Sequence, residues 1–136
     1  MNYADSTQVA VGDHIWWNEG VCVGFVCAVV ESGEDQNVWG FDKPHVLLSG
    51  HHPYDPGDPG YIAYPSSDFE EEGVARLTSA EEEEFKRAVS LVCTEEGFAQ
   101  PFHVGVDIPS EEDGHWIFSA HKRGEFCEFA RIRRKK

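Results

Sequence analysis

Basic side chains are scarce in this chain: 11 lysines and arginines stand against 25 aspartates and glutamates, a formal charge of −14 over 136 residues. A body of that sign repels phosphate backbones, so nucleic-acid binding by the domain is not expected. Long apolar runs are missing too. No stretch approaches the roughly 20 apolar residues of a membrane span, so no membrane association is expected. Residues 1–8 carry neither a basic segment nor an apolar run, so no signal peptide is expected. There is no Cys-x-x-Cys pair and no glycine-rich phosphate loop, and Ser49, Ser66, Ser67 and Ser119 sit in no nucleophile-elbow context. These gaps weigh against redox, nucleotide-dependent and acyl-transfer enzymes and call for no cofactor.

The cysteines that are present, Cys22, Cys27, Cys93 and Cys127, do not suit a disulfide framework. Cys22 and Cys27 share a strand-like run, where five residues at ~3.3 Å each separate them by about 16 Å. All four read as reduced thiols of a cytoplasmic protein, bacterial in style.

The remaining composition, 40% hydrophobic and 12% aromatic, supports one packed domain over residues 1–136. Charge is uneven along it. Residues 1–75 hold 13 acids and the single base Lys43, whereas 131–136 hold five bases. The basic tail reads as a solvated end, or as a clamp onto the acidic body.

Asp13–Trp17 and Val21–Val30 read as strands joined by Asn18-Glu19-Gly20, with Gly20 taking the left-handed position. The second strand is apolar on both faces, which places it centrally, and Gly24 within it suggests a bulge or tight bend. Glu31–Asp35 reads as a turn, with short strands at Val38–Phe41 and His45–Ser49. Residues 49–73 form a long proline-rich loop, within which Tyr61–Tyr64 reads as a brief edge strand. One helix stands out at residues 79–94. Thr78 and Ser79 start capping boxes with Glu81 and Glu82, and Phe85, Ala88, Val89 and Val92 repeat at helical spacing. Phe102–Ile108 then alternates as a strand, and His115–His121 and Glu125–Ile132 form a hairpin across Lys122-Arg123-Gly124. The expected class is α+β: a mainly antiparallel sheet or partly closed small barrel with one packed helix. Gly12-Asp13, the Trp16-Trp17 pair, the glycine turn and the long bent strand resemble the start of a small Src-homology-type barrel. That resemblance covers about a fifth of the chain and implies a barrel-like sheet.

Three groups of residues invite chemistry. His51, His52, Tyr54, Asp55 and Asp58 lie on a proline-stiffened segment that reads as a polar recognition loop, or as plain surface; its aspartate spacing does not match a calcium loop. His103, His121 and Glu125 would form one row across three strands if His103 sits opposite His121 and Glu125 follows the turn. Two imidazoles and a carboxylate can hold zinc or iron, although the row dissolves with a one-residue slip and otherwise reads as a solvated sheet face. Trp16 and Trp17 point to opposite faces, so one of them, Trp16, is either covered by another element or presented as an anchor for a partner.

Taken together, these features favour a non-catalytic acidic protein-binding domain that meets a cationic protein, such as an immunity or antitoxin-like inhibitor of a basic toxin. The alternative is a small metal-binding protein or metalloenzyme using His103, His121 and Glu125. A small ligand-binding barrel with a pocket near Trp16 and Trp39 is the third reading.

Overall fold

In the computed structural model the described residues are 1–19, 22–52, 62–95, 102–107, 115–122 and 131–135; at 51, 52, 88 and from 91 onward it is the backbone path that is described. The elements run in the order β1 (His14–Trp17), β2 (Cys22–Val30), α1 (Gly33–Trp39), β3 (His45–Ser49), β4 (His51–His52), β5 (Ile62–Pro65), a 3-10 turn (Ser66–Asp68), β6 (Ala75–Arg76), α2 (Ser79–Glu95), β7 (Phe102–Asp107), β8 (His115–Lys122) and β9 (Arg131–Lys135). The class is α+β, as expected.

All the strand pairs described are antiparallel, in the order β5-β3-β2-β7-β8-β9, with β1 branching from β2, β6 pairing with β1, and β4 with β7. The sheet stays open among the described strands, so the barrel closure implied by the Src-homology-type resemblance is not reached. β2 organises it. Its first half pairs with β1, from Trp17↔Cys22 to His14↔Phe25, and its second half pairs with β3, from Phe25↔Ser49 to Val30↔His45. This is the central position that a strand apolar on both faces requires.

Gly24 lies where β2 passes from one pairing to the other, but it is not the bulge. The register shift falls between Val26 and Ala28. Gly24 is needed for space instead: a Cβ there would stand 2.1 Å from the Ser49 carbonyl oxygen and 2.7 Å from the Trp17 ring. In the turn before β2, Asn18 (φ 52°) and Glu19 (φ 57°) are left-handed, while Gly20, the expected left-handed residue, lies outside the described residues.

The largest correction lies between β2 and β3. The expected turn at Glu31–Asp35 and strand at Val38–Phe41 are one short helix, α1. Ser32 caps it by accepting from the Asp35 amide at 3.0 Å, and Gly40 (φ 77°) ends it. The Gly40 amide donates to Asn37 O and the Phe41 amide to Gln36 O, the paired bonds of a Schellman stop. Val38 and Trp39 favour strands by propensity, yet the caps on either side decide the local structure.

Two layers cover the sheet. On one face Ile15, Trp17, Val26, Val46 and Leu48 pack with Tyr3, Val9, Phe69 and Val74 from the N-terminal segment and the stretch after the 3-10 turn. On the other, α2 lies over β1. Thr78 Oγ1 accepts from the Glu81 amide at 3.2 Å, as the capping motif requires, and Phe85 is fully buried, its ring T-shaped against His14 with centroids 4.4 Å apart. The stretch 49–73, expected to be irregular apart from a brief edge strand at Tyr61–Tyr64, contains that strand as β5 on the β3 edge, and also the buried Phe69.

At the far end, β8 pairs with β9 from His115↔Lys135 to Ser119↔Arg131. The basic residues 131–135 are thus an edge strand rather than a frayed tail. This register also revises the expected hairpin, because a turn at Lys122-Arg123-Gly124 would have set Cys127 opposite Ser119. Arginine and lysine suit the last of the described strands, because their charge discourages pairing with a further chain.

Candidate functional site

A seven-residue helix is marginal by itself in water, since nucleation costs several ordered residues per hydrogen bond. Helices of that length normally persist by burying an apolar face. α1 buries no residue. Its ends hold it instead: the Ser32 cap, the Gly40 stop, and the Gln36 side-chain amide donating to Glu31 O at 2.9 Å. Glu34 and Asp35 in the first turn complement the helix dipole. Beyond the helix, Phe41 stacks on His45 with centroids 4.0 Å apart, and His45 Nδ1 lies 2.8 Å from Lys43 O.

The result is an apolar pair set out in solvent. Val38 is 78% exposed and Trp39 47% exposed, the two adjacent members of the four large exposed hydrophobics among the described residues. Glu31, Glu34, Asp35 and Asp42 surround them in sequence against the single base Lys43. Glu31 also accepts from the N-terminal ammonium of Met1. An aromatic ring rimmed by carboxylates is an anchor for a partner carrying lysine or arginine, through apolar contact and cation–π attraction at the centre and charge pairing at the rim.

The expected tryptophan anchor takes another place. Trp16 is 6% exposed, and its Nε1 donates to the Glu81 carboxylate at the start of α2. Trp17 is buried on the opposite face. Both rings are therefore covered, each by a different layer, and the exposed tryptophan is Trp39. The signal for it was present in the sequence: Ser32 three residues before Asp35, and Gly40 eight after the cap, bracket a helix too short to bury its own aromatic residue.

His51 and His52 form β4, in register with His103 and Phe102 of β7. Tyr54, Asp55 and Asp58, the rest of the expected recognition loop, lie outside the described residues, as does Glu125. The expected pairing of His103 with His121 is found.

Elsewhere, His14 sits between Phe25 (centroids 4.5 Å apart, stacked) and Phe85, and burial pulls its pKa down to about 4, with a smaller push from Lys86. It is a neutral ring of the core near neutral pH. Tyr3 donates to Asp13 Oδ2 at 2.8 Å, and burial followed by that carboxylate raises its pKa far above the usual phenol range. Asp13 Oδ2 also accepts from the Ala10 amide at 2.9 Å, which fastens the N-terminal segment to the sheet. A depression of about 260 Å³ lies between Asn2, Tyr3, Ala4, Ser66, Ser67, Phe69 and Glu70, with one carboxylate and three hydroxyl-bearing residues in its lining. Ser67 Oγ donates to the neighbouring Asp68 carboxylate at 3.3 Å. Among residues with described side chains, no three His, Cys, Asp or Glu converge as metal ligands, and no helix described is long and apolar enough to cross a membrane. No protein-family model matches the chain, and no curated protein or solved structure matches it either.

Proposed function

We propose that the chain is a non-catalytic binding domain for a cationic protein, of the immunity or antitoxin-like kind that neutralises a basic toxin, with α1 as its docking element. One observation carries the reading: Trp39 and Val38 stand in solvent on a helix that buries nothing, within a body of charge −14. An apolar anchor supplies affinity once desolvated, and the surrounding carboxylates supply steering and choice of partner. The free thiol of Cys22 is compatible with a reducing, cytoplasmic setting.

The test uses the chain as bait against the proteome of its source organism, with wild type, Trp39→Ala and Val38→Asp compared at low and high salt. The expected result is a basic protein retained by wild type, released by salt, and lost from both variants. Its association rate should then fall steeply as ionic strength rises. Retention of neutral or acidic proteins alone, or retention indifferent to both substitutions, overturns the reading.

A further inference from the structure

β4, β7 and β8 bring three histidines from distant parts of the chain into a single register row. His51 is the direct partner of His103, and His103 is the direct partner of His121. Direct partners in antiparallel strands share one face of the sheet, with Cα atoms about 4.5–5.5 Å apart. The row therefore spans about 10 Å between its outer Cα atoms. The face can be assigned. Two residues along β7 from His103, Gly105 pairs with Cys22, and Cys22 pairs with Trp17. Trp17 belongs to the face opposite α2, so the row is placed there as well, away from the helix. β7 and β8 carry Val104, Val106, Phe118 and Ala120 at the alternate positions, which leaves the histidine face the polar one of this part of the sheet.

We propose that His51, His103 and His121 form a three-histidine site for a divalent first-row transition ion, zinc foremost. Neutral imidazole is a preferred nitrogen ligand for zinc at about 2.0–2.1 Å. Three such ligands leave a tetrahedral ion one position for water or a small anion. A carboxylate-rich body, at −14, adds long-range attraction for a dication. The row takes more than the sequence alone supplied: His51 enters through a strand of two residues inside the proline-rich stretch, and nothing in its spacing to His103 announces the pairing. The site is separate from α1, so either proposal can fail while the other stands.

The experiment titrates the full chain, made without a polyhistidine tag, with Co²⁺ followed by absorption and then with competing Zn²⁺. One ion per chain with the strong visible bands of four-coordinate cobalt is expected. His51→Ala, His103→Ala and His121→Ala should each weaken binding by more than about tenfold, a loss seen even for outer-shell partners. His52→Ala, in the next register position, and His115→Ala, in a remote row of the same face, should leave it unchanged. A measurement on wild type covers the case of a variant that does not fold: zinc should protect His51, His103 and His121, and not His115, from acylation by diethyl pyrocarbonate. Failure to take up one ion, loss of binding in the two control variants to the same degree, or uniform acylation with and without zinc would overturn the site.

Discussion

Trp16 and Glu81 are 65 residues apart, and the indole Nε1 of the first donates to the carboxylate of the second, fastening the first turn of α2 over β1. Glu81 thus serves twice, its amide donating to the Thr78 hydroxyl at 3.2 Å and its side chain reaching the sheet. Hydrogen bonds to a charged acceptor contribute about 1.5–3 kcal/mol. Glu81→Ala should therefore lower unfolding stability by about that amount, as it removes the acceptor from a nearly buried indole. Urea denaturation of Trp16→Phe, Glu81→Ala and the double variant measures the coupling, and purely additive effects would refute the bond.

Gly24 should tolerate no side chain. A Cβ would stand 2.1 Å from a backbone oxygen, Ser49 O, which cannot swing aside as a flexible side chain does. Gly24→Ala is expected to cost about 3 kcal/mol or more, at the upper end of overpacking penalties. Thermal unfolding of the purified variant, or its failure to accumulate in soluble form, reports the effect.

His14 makes stability depend on acid. Its folded pKa, about 4, lies below the value near 6.5 of an exposed imidazole, so the unfolded chain binds the extra proton between the two. The contribution is fully present above the unfolded value. It is lost as pH falls from about 6.5 towards 4, by about 3 kcal/mol at the limit. His14→Gln removes the titrating ring, so the variant's stability should fall less steeply than wild type's as pH drops through that window. Denaturation curves at several pH values check it, and an unchanged slope would show that other groups carry the acid limb.

Trp39 should matter little to stability. Nearly half exposed on a helix with no buried residue, it can be replaced by alanine at a cost within about 0.5 kcal/mol, the range of ordinary surface changes. Gly40→Ala, by contrast, forces a Cβ into φ 77° and should cost about 1–2 kcal/mol. A large loss from Trp39→Ala would mean that the ring packs against the domain rather than awaiting a partner.

Some of this was legible from residue order. Thr78, the acids after it and the spacing of Phe85 and Val89 describe α2, because capping and periodicity act within one or two turns. His45–Ser49 and the two-sided apolar run of β2 are equally clear, whereas the pairing of His103 with His121 is only one of the registers that residue order allows. α1 was read as turn and strand because Val38, Trp39 and Phe41 favour strands, and at this length two capping residues outweigh propensity. The fate of the tryptophans was open in principle: alternation puts Trp16 and Trp17 on opposite faces, but whether a second layer covers each depends on α2 and on the segment around Phe69.

The sequence by itself determined the class of fold, the acidic character and the main helix, since these follow from composition and from contacts a few residues apart. Tertiary structure alone decided that Trp16 is covered and Trp39 is not, that residues 131–135 close the sheet as an edge strand, and that His51 joins His103 and His121. Each of those outcomes depends on register and layer packing between distant segments, where displacement by one residue moves a side chain to the other face and no local preference sets the choice.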